Sequence, residues 1–358
     1  MSNKVITIQS HKGEYTASFM SGGMDQLNST PVENAVYIID QNIVKLYKNR
    51  LKNILSSQRV IKIEATEENK SLDKIPGYVD ELVAVNIRRD QTLIAIGGGI
   101  IQDITCFLAT TVMRGLPWIF YPTTLLAQSD SCIGSKSSIN SGEVKNILGT
   151  FTPPEKVVID VDFLQTLEQR EIFSGIGEML KVHAINSPES FDLISAAYED
   201  ILKDPVIMEE FIHNSLSMKK KLIEIDEFDQ GVRNVMNYGH SFGHAIESAT
   251  RYGIPHGIAV TIGMDIANFV SVELKVSNVN HFERMHNVLE KNYRTYQHVN
   301  ISVESLLNAL SKDKKNSATQ LRLIFPDKNG CIGIGLYDNN SKLKNSLDKY
   351  FKLYGGVN

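Results

Sequence analysis

Through the first 160 residues, short apolar and β-branched runs alternate with longer stretches whose apolar positions recur every three to four residues. The runs "AVYIID" (35–40), "RVIKIEA" (59–65), "TLIAIGGG" (92–99), "PWIFYPTT" (117–124) and "KVVIDVD" (156–162) read as strands. Residues 42–55, 71–87 and 100–113 carry helical periodicity, with Pro76 expected to break or kink the second of these. Such alternation predicts the α/β class, with a doubly wound, mainly parallel, Rossmann-like sheet. After Phe163 the pattern lengthens. Helical periods cover 170–185, 205–227, 234–249 and 258–275, and a β-rich stretch at 320–336 turns on "DKNG". The expected organisation is an α/β domain at 1–162 followed by a mostly α-helical domain at 163–358.

Composition then removes several classes of partner. With 42% hydrophobic residues, 22% charged residues and a net charge of −4, the chain is an ordinary globular one. Its surface is not built to attract nucleic acid. No apolar run approaches the ~20 residues that span a bilayer, and the start "MSNKVITIQSHKGEY" lacks the apolar core of a signal peptide. Three cysteines without a CxxC pair argue against a disulfide framework, so a cytoplasmic location is expected.

Four stretches carry candidate chemistry. In "IAIGGGIIQD" (94–103) a strand runs through Gly97, Gly98 and Gly99 into a helix. Glycines let a backbone approach a diphosphate, and the helix N-terminus offers free N–H groups. The bland reading is a tight turn needing positive φ, with Asp103 either a surface acid or an acceptor for a hydroxyl. Residues 121–151 are crowded with Ser, Thr and Gly around Lys136 and Lys145, and a loop of that length is uncommon unless functional. "NYGHSFGHAIESATRYGIPHG" (237–257) holds three of the nine histidines. His240 and His244 share a helix face, and His256 follows in a turn. Spacing favours the first two as a metal pair, with the carboxylate from Glu178, Asp226 or Glu227. Finally, Arg114, Lys181, Lys219, Arg233 and Lys314 come from separate segments and suit an anionic ligand gathered from several sides.

Taken in order, "EENKS" (67–71), "GGGIIQD" (97–103), "MRG" (113–115), "PTTLLAQSDS" (122–131), Lys136, Lys145-Asn146, "GEMLK" (177–181), "RNVMNYGHSFGHAIE" (233–247) and "HG" (256–257) resemble the 3-dehydroquinate synthase family of sugar phosphate cyclases. The resemblance implies an NAD- and metal-dependent carbon–oxygen lyase acting on a small phosphorylated sugar acid. The substrate would be 3-deoxy-D-arabino-heptulosonate 7-phosphate and the product 3-dehydroquinate. It implies one divalent ion, zinc or alternatively cobalt, and a homodimer.

By motif position Glu178, His240 and His256 would ligate the metal, which frees His244 for substrate phosphate or proton handling. Asp40, Asn42, Glu67, Lys70, Gly98, Gly99, Asp103, Thr123 and Thr124 would adjoin NAD. Asp130, Lys136 and Lys145 would line the cofactor–substrate junction, and "FLQT" (163–166), through Phe163 and Thr166, would close over the nucleotide. Arg114, Asn146, Lys181, Lys219, Arg233, Asn237, His244 and Lys314 would form the polar pocket. The chain departs from the family pattern at "GSKS" (134–137), "SGEV" (141–144), "DEFD" (226–229) and "HGI" (256–258). These changes leave open a paralogue for another sugar phosphate. A metal-dependent polyol or alcohol dehydrogenase of the same plan is the further alternative.

Overall fold

A computed structural model describes residues 4–142, 144–311 and 319–355. The chain divides into two compact units, Met1–Glu168 with Lys219–Asp229, and Gln169–Met218 with Gln230–Asn358. Among the described residues no helix is long and apolar enough to cross a membrane.

The first unit is built on a seven-stranded sheet. Its strands are β1 (Val5–Ser10), β2 (Gly13–Phe19), β3 (Ala35–Asp40), β4 (Val60–Ile63), β5 (Thr92–Gly97), β6 (Trp118–Pro122) and β9 (Lys156–Ile159), and β7 (Lys136–Ser141) pairs separately with β8 (Val144–Phe151). The order is β1-β2-β9-β6-β5-β3-β4, and every pairing is parallel except β1 with β2. The five apolar runs read as strands are β3, β4, β5, β6 and β9. Leu93, Ile94, Ala95 and Ile96 of β5 are all buried, as expected of a parallel strand covered on both faces. Ile39, Ile43, Tyr47, Ile96, Tyr121 and Phe163 belong to one core cluster. Chain order reverses between β3 and β5, so their carboxyl ends flank the topological switch point, where open α/β sheets bind ligands.

Four details of this first unit differ from expectation. Residues 121–151 are not a long loop but a π-helical turn, Ala127–Ser131, followed by the β7–β8 hairpin. The periodicity at 42–55 resolves into two short helices, Gln41–Leu46 and Lys52–Leu55. Pro76 neither breaks nor kinks a helix. It sits in the first turn of Ile75–Ala84, where its missing N–H leaves no hydrogen bond unmade. The N-terminal antiparallel pair β1–β2 completes one sheet edge; its Thr, Ser and Gln content kept it out of the sequence reading.

The second unit is mostly helical. The helices Gln169–Asn186, His240–Ala249, His256–Glu273, Val279–Tyr293 and Ser341–Tyr354 accompany the antiparallel hairpin β10 (Gln320–Pro326) and β11 (Ile332–Asp338). The turn lies at "DKNG" as read, with Gly330 at φ 81°. Residues 234–249 are not one helix. A 3-10 turn, Val232–Asn237, stops before Gly239, whose φ of 77° reverses the backbone and restarts it at His240. His256 is not in a turn but is the first residue of His256–Glu273.

Candidate active site

The first unit gathers one set of the proposed residues at the carboxyl ends of its strands. Asp40 ends β3 and accepts a hydrogen bond from the Asn42 backbone N–H at 2.9 Å. Gly98 caps the helix Gly99–Thr111. None of Gly97, Gly98 and Gly99 lies at positive φ, so the triple glycine serves close approach and not a reversed turn. A Cβ on Gly98 would stand 2.9 Å from the Thr124 methyl, and one on Gly97 2.5 Å from Ile101. Thr123 donates its N–H to the Gly97 carbonyl at 2.9 Å.

Asp103 is not a surface acid. Its side chain is 21% exposed and takes the Lys70 ammonium at 3.0 Å, while the Ser138 backbone N–H donates to it at 3.1 Å. Burial pushes its carboxyl above the usual carboxylate range, against the pull of Lys70. The same lysine donates to Asn146 Oδ1 at 2.8 Å, and Asn140 bridges the Asn146 N–H and Glu67. Lys70, Asp103, Asn146 and Glu67 thus form one polar network, with Lys145 3.9 Å from Glu67. Its members come from the 67–70 loop, the glycine-led helix and the β7–β8 hairpin.

Elsewhere in the unit Lys219 pairs with Asp130 at 2.6 Å, and Lys136 pairs with Asp229. Asp229 was missed as an individual residue; the departure from pattern at 226–229 was its only signal. Glu227 is taken by His11 at 2.9 Å. Arg114 is exposed, on a loop where it and Met113 both hold positive φ. Phe163 is 1% exposed in the core, edge-on to Tyr47, and Thr166 Oγ1 lies 2.8 Å from the Tyr47 hydroxyl. The 163–166 segment is therefore anchored by packing, and Phe163 presents no ring to a ligand.

The second unit brings the histidines together. Ligand-capable nitrogens of His240, His244 and His256 all lie within 4.8 Å of one another. Glu178 Oε1 sits 3.6 Å from His256 Nε2 and 3.9 Å from His240 Nε2. Glu178, one of the three carboxylates that spacing left open, lies at the imidazoles. Both rings are held by their other nitrogen: His240 Nδ1 donates to the Tyr238 carbonyl at 3.3 Å, and His256 Nδ1 lies 3.3 Å from both oxygens of Glu247. This ring-to-acceptor arrangement orients imidazoles that ligate metals. The other carboxylate oxygen of Glu178 takes the buried Lys181 ammonium. Burial drives His240 well below the ordinary imidazole range, helped by the nearby Lys181 charge. Burial also acts against a charged His256, but the Glu247 hydrogen bond and the charges of Glu178 and Glu247 outweigh it and raise its pKa.

Glycines explain the convergence. Gly177 and Gly257 touch across two helices, where a Cβ on Gly257 would lie 1.8 Å from the Ser174 carbonyl oxygen and one on Gly177 2.2 Å from that of Gly257. Gly257 N–H donates to Ser174 Oγ at 3.0 Å. Gly239 meets Gly263 in the same way, since a Cβ on Gly263 would lie 2.1 Å from the Gly239 carbonyl oxygen. Each ligand candidate is the covalent neighbour of one such contact.

Beside the cluster opens a pocket lined by Asn234, Asn237, His240, Ser241, His244 and Arg322, with Ile324 and Ile334. Arg233 is buried on the same 3-10 turn as Asn237. Lys314 lies outside the described residues. Arg322 was not among the sequence candidates.

Residues 60–174 match the 3-dehydroquinate synthase N-terminal family and residues 175–316 the 3-dehydroquinate synthase C-terminal family. The chain belongs to the 3-dehydroquinate synthase family. A 3-dehydroquinate synthase of Dehalococcoides mccartyi is 34% identical over 307 residues, 84% of this chain and 85% of that one. One of Streptococcus pyogenes is 32% identical over 330 residues, 90% and 92% of the two chains. Among solved structures, 2-deoxy-scyllo-inosose synthase with carbaglucose-6-phosphate, NAD+ and Co2+ superposes with a TM-score of 0.83 at 21% identity, covering 97% of this chain and all of that one. The 2-epi-5-epi-valiolone synthase of Streptomyces hygroscopicus, with NAD+ and Zn2+, gives 0.83 at 22% identity over 95% and 97%. Glycerol dehydrogenase of Schizosaccharomyces pombe shares the fold more distantly, with a TM-score of 0.61 at 18% identity over 100% of this chain and 94% of that one. These structural likenesses speak for the fold of the 3-dehydroquinate synthase family member described here.

Proposed function

We propose that this chain is a sugar phosphate cyclase converting 3-deoxy-D-arabino-heptulosonate 7-phosphate to 3-dehydroquinate with release of inorganic phosphate. The observation that carries the reading is the meeting of Glu178 Oε1 with the Nε2 atoms of His240 and His256, each ring steadied from behind. A carboxylate and two or three imidazoles suit zinc or cobalt, and family membership supports NAD as the second cofactor. We assign NAD to residues 1–162 and the metal and substrate to 163–358. Glu178, His240 and His256 are the proposed metal ligands. The glycine-led helix, Asp40, Thr123, Thr124 and the Lys70–Asp103 pair are the proposed NAD contacts.

When bound, NAD would take and return one hydride, and the metal would acidify the reacting hydroxyl and polarise the resulting ketone. The chain's residues do the rest. His244, the exposed member of the cluster, faces the open side and is placed to bind phosphate or carry a proton. Lys181 holds the second carboxylate oxygen of Glu178 and orients it. Arg233 and Asn237 are the proposed grip on the substrate carboxylate, which favours a sugar acid over a neutral sugar phosphate. Elimination removes the proton beside the ketone and breaks the C–O bond, whose electron pair leaves with phosphate. With the hydride given back by the NAD that these residues would hold, ring opening and an intramolecular aldol step would close the carbocycle. The reading carries with it a homodimer in the cytoplasm, where Cys106, Cys132 and Cys331 remain free thiols.

A phosphate-release assay across the heptulosonate phosphate, sedoheptulose 7-phosphate and glucose 6-phosphate tests the reading. We expect release from the first without accumulation of NADH. Stoichiometric NADH would indicate a dehydrogenase instead. His244→Ala is expected to keep about one metal per chain and to lower kcat by roughly 100-fold, the scale of one lost general acid–base or oxyanion contact. Loss of the metal in that variant would make His244 a ligand.

A further inference from the structure

We infer that Arg322 is a substrate-binding residue that takes the phosphate of the substrate. This rests on the cyclase reading of the pocket beside His244. Arg322 lies on β10 between Leu321 and Leu323, both fully buried. The two-residue period of a strand therefore turns Arg322 to the other face, together with Ile324. Ile324 pairs directly with Ile334 on β11. One wall of the pocket is thus a guanidinium followed by two isoleucines, mounted on a hydrogen-bonded hairpin.

The remaining lining points the same way. Ser241 and His244 offer a hydroxyl and an imidazole beside Asn237, the proposed carboxylate contact, and no carboxylate lines the pocket among the described residues. A pocket of donors fits an anion. A carboxylate has two oxygens to satisfy, whereas a phosphate presents three around its ester bond and can use the arginine fork, the imidazole and the hydroxyl together. Ile324 is buried beside the guanidinium, while Ile334 is 37% exposed at the rim. The hydrogen-bonded strand fixes the point from which the arginine side chain reaches into the pocket.

The test is calorimetric titration of inorganic phosphate into zinc- and NAD-loaded protein, comparing the natural chain with Arg322→Gln and Arg322→Lys. Glutamine is expected to weaken phosphate binding roughly 10- to 100-fold, the range of one lost charge-assisted contact. Lysine should recover part of the loss, since it restores the charge without the fork. Zinc content and melting temperature should be unchanged in both variants. Equal phosphate affinity in Arg322→Gln, or no phosphate binding by the natural chain, overturns the inference. So does loss of zinc in both variants, which would make Arg322 part of the scaffold. If phosphate binds in an Arg322-dependent way but none is released from the heptulosonate phosphate, the cyclase reading fails and the anion assignment stands.

Discussion

Glu178→Gln is expected to fold, to lose its divalent ion and to lose activity by more than about 1,000-fold, as befits a chemical step that depends on the metal. The amide keeps the size of the carboxylate and can still accept from Lys181. It cannot supply the anionic oxygen that now stands between His240 and His256. Some stability should go as well. Lys181 is 2% exposed and would lose its counter-charge. Breaking a buried pair outright costs about 3–5 kcal/mol, and keeping one hydrogen bond should hold the loss nearer 2–3 kcal/mol. Metal analysis of the purified variant, a melting curve and a turnover assay measure the three effects separately. A variant that retains one tightly bound zinc would remove Glu178 from the ligand set.

The second large effect is expected from a residue that touches no substrate. Gly257→Ala should lower the stability of the second unit by about 3 kcal/mol or more, at the upper end of what overpacking costs. For a unit of this size that is a fall in Tm of roughly 6–12 °C. The new methyl would start 1.8 Å from the Ser174 carbonyl oxygen, which belongs to a helix backbone and cannot swing aside as a side chain could. The helices Gln169–Asn186 and His256–Glu273 must therefore separate at the point where Glu178 and His256 face each other. Zinc affinity should fall with stability. Gly253→Ala is the contrasting variant, because its nearest neighbour, the Thr250 carbonyl oxygen, would be 3.1 Å away. Equal melting temperatures and zinc contents in the two variants would mean that the helix contact does not hold the cluster together.

Legibility in the sequence followed the strength of the apolar signal. Strands β3, β4, β5, β6 and β9 are largely apolar runs, rich in Val and Ile or, in β6, aromatic, and each was readable as a strand. The β7–β8 hairpin was not, because side-chain hydrogen bonds such as Ser137 to Thr150 tie it together in place of an apolar face. The helix expected across 234–249 failed at one residue, Gly239, whose left-handed backbone no periodicity could reveal. In the candidate site, the i, i+4 spacing put His240 and His244 on one face. Nothing in the spacing linked them to Glu178, 62 positions earlier. The signal that was present and went unread is the glycine beside each donor: Gly177-Glu178, Gly239-His240, Gly243-His244 and His256-Gly257. Arg322 was readable too, as the one charge inside the alternation of "QLRLIFP".

Anchoring Glu178 and His256 through main-chain contact rather than through fitted side chains separates two properties that are coupled in most proteins. Mutations that loosen or refill the hydrophobic interior can accumulate without dragging the imidazoles out of place. For the same reason the identity of the donors becomes adjustable by itself. An engineer wishing to exchange one transition metal for another could alter the coordinating atoms and leave the scaffold untouched, provided the four small residues next to them are never enlarged.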